Sequence, residues 1–515
     1  MAFTSSLKDT ATIFFDEQGL YLYEPETDEV IQIARAGNKA PGTVENFSSF
    51  SAGNIGGASG LLSLNDAGQI AMHATTTGDV SFPTMAGAGP YLFSKDEIIN
   101  IAMVGAPDPR GLGAYQTFAF IGLANSGQMA WTSRIEIGQN DIPSGFFMTD
   151  PTDNSVNTVF LQGDTVSVGS FVDLNNMGNA VLIGDDSDGD DEEQLNQDIW
   201  TANKDTFNRL VNDDELVPGG GAVFDRMTFA DINDNNEIVF LGRLRESADG
   251  PTINSGMFFV EDEGVHTIGI HGVDSVVGDP LEVYLTPRIN NLGQMAFQAR
   301  LNNFGGIYLV TKTGGKLLLK TGDPIPGGTG TFRVGTSSTV AEMWLNDAGQ
   351  VLFFGGGGYW VVDADGNLNP VVLIGQELEG STVTDVEMVG VGQLDASNVG
   401  GFSNRRPMNN SGQVVFQAEL ADGRDGIFLW TAPPPPPPDP EIDSILVDGN
   451  GIVVNLDTGL GATYQLRRRD TLNAGDWQNE GAAADGTGNS IDLRHPNALP
   501  TDKQFYDVLI TLPDS

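Results

Sequence analysis

The densest run of potential metal ligands in the chain is Asp185-Asp-Ser-Asp-Gly-Asp-Asp-Glu-Glu193. Asp186, Asp188 and Asp190 recur at every second residue with Gly189 between them, and Asp191 follows directly. Hard carboxylate oxygens at this density suit Ca2+, and the spacing resembles the opening of a calcium loop. The EF-hand pattern is not completed: the glycine falls one place early, and the position of the bidentate Glu is not met. The expectation is a Ca2+ site on Asp186, Asp188, Asp190 and Asp191, with a solvated acidic loop as the alternative. Asp363-Ala-Asp-Gly-Asn367 has a similar composition but falls where a hairpin needs its turn, which accounts for it.

Other chemistry is thinly represented. The chain has no Gly-x-Ser-x-Gly elbow, His-Glu-x-x-His pair, P-loop or strand-linked Gly-x-Gly-x-x-Gly. Its histidines are His73, His266, His271 and His495. His266 and His271 lie across a predicted strand and turn, and a metal would need further ligands, so they read as surface residues. The absence of cysteine excludes disulfides, thiolate metal sites and cysteine nucleophiles. The 69 Asp and Glu offer many carboxylate pairs and none is singled out, so paired-carboxylate glycosidase chemistry stays open.

The net charge of −44 repels phosphate backbones and anionic lipid. Nucleic acid is therefore not an expected partner, whereas cations, neutral glycans and basic proteins remain open. No apolar run is long enough for a membrane-spanning helix, so no membrane insertion is expected. Met1-Ala-Phe-Thr-Ser-Ser6 lacks a basic and apolar leader, and Leu512-Pro-Asp-Ser515 is no hydrophobic sorting tail. Taken literally this is a cytoplasmic chain. The acidic, glycine-rich composition instead suits an extracellular or cell-surface setting, which is the favoured expectation, with the signal peptide missing from this chain.

The elements that must position any site come from an internal repeat. Leu64-Asn-Asp-Ala-Gly-Gln-Ile-Ala-Met72 recurs as Ile289-Asn-Asn-Leu-Gly-Gln-Met-Ala-Phe297 and Leu345-Asn-Asp-Ala-Gly-Gln-Val-Leu-Phe353, among others. Anchored on Asn65, Asn125, Asn175, Asn233, Asn290, Asn346 and Asn409, the copies are spaced 60, 50, 58, 57, 56 and 63 residues apart. Asn followed by Gly supplies a tight hairpin turn, and an alternating apolar strand follows it. Two more strands and a Pro/Gly-rich crossing complete each unit, as in Gly305–Val310, Lys316–Asp323 and Pro324–Phe332. Such four-stranded meanders predict an all-β chain whose residues 1–431 form a β-propeller. Leu7–Phe15 reads as a degenerate further copy, with Lys8 57 residues before Asn65. Eight blades, the last lacking its outer strand, are favoured over seven.

The Asn copies resemble a bacterial family of secreted tandem-repeat proteins with the consensus Asn-x-x-Gly-x-x-Val, over roughly residues 7–431. Two copies depart from it: Asn236 replaces the turn glycine, and Asn179-Ala180 replaces the usual Gln and branched residue. The resemblance implies an exported protein with no established activity.

Residues 432–440 form a linker. Its proline run, Pro433 to Pro438, must adopt polyproline II. Residues 441–515 predict a small all-β sandwich, with strands at Gly451–Leu456, Thr463–Arg467, Asp476–Gln478, Ser490–Leu493 and Gln504–Ile510. Tyr464-Gln-Leu466, Leu472, Trp477, Gly486-Thr-Gly488 and Phe505-Tyr506 resemble a C-terminal accessory module of secreted bacterial proteins. Trp477, Phe505 and Tyr506 read as core aromatics before a ligand platform. Arg467 and Arg469 share one strand face.

In a meander the Asn turns and the third-to-fourth turns share one face, and the crossings lie on the other. The long segments Thr75–Pro90, Asp185–Gln197 and Arg245–Ser255 fall on the crossing face, where binding loops are expected. The leading functional expectation is a monomeric, non-catalytic exported propeller that binds a glycan or protein there, with or without Ca2+. A structural surface-layer or matrix component, or a polysaccharide-acting hydrolase or lyase, are its alternatives.

Overall fold

The computed structural model describes residues 2–6, 18–24, 27–50, 62–77, 88–137, 144–161, 167–185, 197–334 (without 249, 263, 274 and 302–303), 343–388 and 407–432, then 442–448, 451–458, 463–469, 476–485, 490–496 and 505–511. All of its regular structure is β. The chain divides into two compact units, Met1–Thr431 and Ala432–Ser515.

Within the first unit the described strands form eight antiparallel sheets in chain order. The fifth is representative: Val223–Ile232, Ile238–Arg245, Thr252–Glu261 and Gly264–Ile270, each paired with the next. Alternate residues of a strand face opposite neighbours. Phe240 and Leu244 pack with Val181, Ile183 and Ile199 of the fourth sheet. Val239 and Leu241 pack with Tyr284, Met295 and Phe297 of the sixth. Interior sheets such as the fifth are thus buried on both faces, and central strands such as Gly89–Phe93 and Gly358–Val362 are buried at every residue. Serial stacking of identical meanders is the β-propeller construction, because a single such sheet cannot bury both faces alone.

The Asn turn does more than reverse the chain. In the copy at Asn290, the Gly293 N–H closes the turn on the Asn290 carbonyl at 3.1 Å, with Gly293 at φ 68°. Asn290 Oδ1 accepts the N–H groups of Leu292 and Gln294 at 3.1 and 3.0 Å, and its Nδ2 donates to Gln294 Oε1 at 2.8 Å. The same Nδ2 also donates to the Asn346 carbonyl of the next sheet at 2.9 Å. This bond recurs from Asn65 to Ala124, Asn175 to Asn233, Asn233 to Asn290 and Asn346 to Asn409, at 2.8–3.2 Å. The next residue adds a second rung: Asn176, Asp234, Asn291 and Asp347 each donate their N–H to the matching side chain one sheet on.

The second copy departs from its expected register. Its turn bonds run from Ala124 N–H to the Gln128 carbonyl and from Gly127 N–H to the Ala124 carbonyl, so Ala124, not Asn125, holds the anchor position. Asn125 stands one place later and pairs with Asp66. The ladder therefore lacks its amide donor between the third and fourth sheets, and Gln128 Nε2 is buried there without a partner.

The two departures from the repeat are one coupled change. At the turns of Gly127, Gly293, Gly349 and Gly412 a Cβ on the glycine would stand 2.7–3.4 Å from the Gln or Glu oxygen of the preceding sheet, and at Gly178 closer still. Asn236 carries such a Cβ at φ 63°. The preceding sheet meets it with the shorter Asn179, whose Nδ2 donates to Asn236 Oδ1 at 2.9 Å.

The eighth sheet is Ser381–Met388, Val414–Leu420 and Asp425–Trp430, edged by the two-residue Glu377–Leu378. In the first sheet Gln18–Glu24 pairs with Glu29–Arg35 and, on its other side, with Ala2–Ser6. The expected Leu7–Phe15 copy lies outside the described residues, as does the proline run.

In the second unit Ile442–Asp448, Gly451–Asp457 and Ser490–Pro496 form one sheet. Thr463–Arg469 is central to another, flanked by Phe505–Thr511 and Gln478–Asn479. One apolar cluster, including Val454, Leu456, Tyr464, Leu466 and Leu493, draws on both sheets.

Two tests follow from the ladder. Asn179→Gln and Asn236→Gly should each destabilise the protein alone, and the double variant should recover about 1 kcal/mol relative to their sum in urea denaturation. Additivity within about 0.3 kcal/mol would contradict the coupling. Ala124→Asn supplies the missing donor and should raise stability by about 1 kcal/mol, with a loss counting against the ladder.

Candidate functional site

The repeat serves as its own control, because a position that differs in a single sheet is not explained by the common architecture. On the crossing face, among the described residues, the passages to the next sheet begin with a residue of positive φ whose N–H bonds back across the loop. Gly37, Gly105, Gly272, Gly322 and Gly375 fill that position with φ between 71° and 100°. Between the fourth and fifth sheets it is Asp214, at φ 63°, donating to the Phe224 carbonyl at 2.9 Å. A non-glycine residue in this region is uncommon and calls for a local reason.

The reason is a knot of charge. The Asp214 carboxylate pairs with Nη2 of Arg245, whose side chain is only 8% exposed. Arg245 also lies 3.8 Å from Asp213 Oδ2 and 3.4 Å from Asp225 Oδ1. A register shift between Phe224 and Arg226 bulges the first strand at Asp225. Arg243 approaches Asp225 Oδ2 at 3.7 Å, and Thr252 Oγ1 donates to the same oxygen at 2.8 Å. Below them, buried Asp198 accepts the Asp213 N–H at 2.8 Å and holds Arg209 at 3.2 Å. The elements involved are the end of one sheet's fourth strand, the bulged start of the next first strand, and the Arg245 hairpin.

Burial, and the nearby charges of Asp198 and Asp214, push the Asp213 carboxyl up to about 7, with Arg245 opposing them. Asp213 Oδ2 has no hydrogen-bond partner. Beside the knot, Arg243, Thr252, Ile253, Asn254, Ser255, His271 and Gly272 line an open depression of about 690 Å³. Exposed apolar tips gather on the same face, including Val44, Leu112, Leu216, Ile253, Val273 and Phe304. On the Asn-turn face the exposed large apolar side chains include Met177 and Leu292.

The candidate residues read from the sequence divide differently. Asp186, Asp188, Asp190 and Asp191 lie outside the described residues, between the strands Ala180–Asp185 and Asp198–Ala202. Among the described residues no group of carboxylates and histidines is arranged to hold a metal. His266 and His271 are not brought together: His266 Nε2 meets Glu261 at 3.0 Å near the third-to-fourth turn, whereas His271 lines the depression on the other face. Asp363 makes the turn expected of it, accepting the N–H groups of Asp365 and Asn367 at 2.9 Å.

In the second unit Arg467 and Arg469 both stack on Trp477, at 5.4 and 4.3 Å from the ring centre. Tyr506 instead binds His495 Nδ1 at 2.9 Å, so the three aromatics do not form one platform. Charged groups on first strands serve the scaffold: Asp231 Oδ2 accepts the Ile289 N–H of the next sheet at 2.8 Å, and Arg288 Nε donates to the Met343 carbonyl at 3.1 Å. Sequence reasoning misses the Asp213–Asp214–Arg245 knot. Aligning the crossings against one another, with Asp214 standing where the others have Gly, is the signal that could find it.

Two buried groups give pH dependences of opposite sign. Asp213 titrates higher folded than unfolded, so its contribution is complete below the ordinary carboxylate range and is lost as pH rises through about 7. Asp213→Asn should therefore gain on wild type as pH rises from 5 to 8. His73 is buried with neither ring nitrogen bonded, and burial lowers its pKa to about 4. Its contribution is complete above about 6.5 and is lost as pH falls, by about 3 kcal/mol near pH 4. His73→Leu should gain on wild type over that acid range. Denaturation midpoints against pH read both, and parallel curves would contradict them.

A comparison with curated proteins finds no match. Solved structures similar to the chain include the β-propeller domain of the Trilobed protease from Pyrococcus furiosus, at 9% identity over 72% of this chain and 93% of that one, TM-score 0.39. Oligogalacturonate lyase from Vibrio parahaemolyticus is similar at 10% identity over 80% and 96%, TM-score 0.38. Prolyl oligopeptidase B from Galerina marginata is similar at 10% identity over 88% and 55%, TM-score 0.38. The model of one family matches residues 1–173 and 161–438, which together span the whole first unit, and the chain accordingly belongs to the family of unknown function DUF7453.

Proposed function

We propose that this protein is a non-catalytic, exported β-propeller that binds a glycan or protein ligand through its crossing face. The observation that carries the reading is the unequal use of the two faces. On the Asn-turn face, the side-chain amides and carboxylates of the turns are engaged in holding sheet to sheet. On the crossing face the repeat is broken by Asp214, Asp225 and Arg245, and apolar side chains stand exposed at the loop tips. Rigid scaffolds with irregular loops at one end commonly carry their binding sites there. The first-strand charges Asp231 and Arg288 are occupied with neighbouring backbone, which supports a binding role over chemistry at the axis.

The reading includes eight blades, the last without a fourth strand, and a small sandwich domain carried on the 432–440 spacer. It also includes Ca2+ on Asp186, Asp188, Asp190 and Asp191, beside the charge knot in the chain. Thermal unfolding in Ca2+ against chelator tests the ion: 100-fold saturation of a native-only site should add about 2.7 kcal/mol. Asp188→Ala should abolish the gain, and an unshifted wild type would reject the site. For the face itself, glycan and protein arrays should lose their signal with Leu216→Lys and keep it with Leu292→Lys. The reverse pattern would refute the crossing-face reading.

A further inference from the structure

The depression on the fifth sheet has a chemistry of its own. Its wall is the hairpin Ile238–Arg245 and Thr252–Glu261, and its floor is fixed by hydrogen bonds within the protein. Asn254 Nδ2 donates to the His271 carbonyl at 2.8 Å, and Asn254 Oδ1 accepts the Ser255 N–H at 3.0 Å. Arg243 is held by Asp225 on one side, and its Nη2 donates to Thr252 Oγ1 at 3.3 Å. Its side chain is still 46% exposed, so part of the guanidinium fork faces the depression. Ile253, 51% exposed, adds an apolar surface to the lining.

This set of groups selects by charge and shape. Arg243 is balanced by Asp225, and Arg245 by Asp213 and Asp214, so the site offers no net positive charge to an anion. The chain's −44 adds long-range repulsion of any polyanion. A cation would meet the Arg243 guanidinium in a lining that includes no carboxylate. What remains is a neutral molecule rich in hydroxyls, with one apolar side. A planar guanidinium donates in parallel to two neighbouring oxygens, and the carbon-bound face of a sugar ring covers an aliphatic side chain. The open form of the depression admits an extended chain and does not enclose a single small molecule.

We propose that this depression is a subsite for a neutral glycan, with Arg243 clamping a vicinal diol and Ile253 packing against the sugar ring. The inference rests on the proposed binding role of the crossing face and names its ligand class and residues.

The test uses the full chain and soluble hexasaccharides, neutral (cello-, manno-, malto- and galacto-) and acidic (oligogalacturonate), in titration calorimetry. At least one neutral series should bind, with an affinity unchanged between about 50 and about 500 mM salt, because no ligand charge is screened. Arg243→Lys keeps the charge but loses the fork, and should weaken binding at least about tenfold at an unchanged melting temperature, a loss of about 1.4 kcal/mol. Ile253→Ser should weaken it as well, and Leu292→Lys on the opposite face should not.

Binding confined to the acidic series, or neutral binding indifferent to both Arg243→Lys and Ile253→Ser, would overturn the inference. If Leu216→Lys still abolished that binding, the crossing-face reading would stand and only the subsite would fall. Absence of any glycan binding, with a protein ligand captured through Leu216, would overturn the glycan assignment alone.

Discussion

One hydrogen bond organises the first unit: the donation from the anchor Asn Nδ2 to the backbone carbonyl of the equivalent residue in the next sheet. Apolar burial between sheets drives stacking but has no direction of its own. Without a polar marker, two twisted sheets can slide or rotate while burying much the same area. The Asn amide removes that freedom, because its oxygen and one N–H are fixed by its own turn and the other N–H then points to the next sheet. The second rung, from Asn176, Asp234, Asn291 and Asp347, doubles the constraint at the same point. Because each rung belongs to neighbours only, stability in such a stack is a sum of local interfaces. This is why a missing donor at Ala124 is tolerated.

A scaffold held at one face leaves the other free to vary. The described crossings share a hydrogen bond and a positive-φ residue, and beyond that they are individual in length and sequence. Asp214 accepts backbone strain where the other crossings have glycine, and its carboxylate completes the surroundings of a buried arginine. Buried ion pairs seldom stabilise more than apolar residues of the same volume. A knot of this kind is therefore better understood as a device for orienting side chains. Through Asp225 it steadies Arg243 at the edge of the depression, so the strained crossing and the proposed subsite form one construction.

Much of this is legible in the sequence, for definite reasons. Asn-x-x-Gly at near-constant spacing reports a turn whose geometry is local, so strand order and the chemistry of the two faces follow from it. The long-range half of the same motif is hidden, because the acceptor of each Asn Nδ2 lies 56–63 residues further on and is a backbone carbonyl of any residue type. Asn125 mimics an anchor because Asn is also suitable at the next position, where it bonds Asp66. The exchange at Asn179 and Asn236 looks like two independent lapses in the chain, and only the fold brings their side chains together. Asp213 and Arg245 look like ordinary surface charge in a very acidic chain, since nothing local shows that residues 32 apart will be buried together. The strand Ile442–Asp448 escapes a pattern search because its Ile445, Leu446 and Val447 are all exposed, without the alternation that marks a half-buried strand.

Native-state hydrogen exchange at the turn amides reads the strength of the ladder. Turn amides at a surface ordinarily exchange through small local openings. The N–H groups of Asn176, Asp234, Asn291 and Asp347, which donate between sheets, should exchange only when a sheet-to-sheet interface opens, far more slowly than the crossing-loop amides. Exchange of these four as fast as that of the crossing-loop amides would show that the ladder does not hold the sheets together.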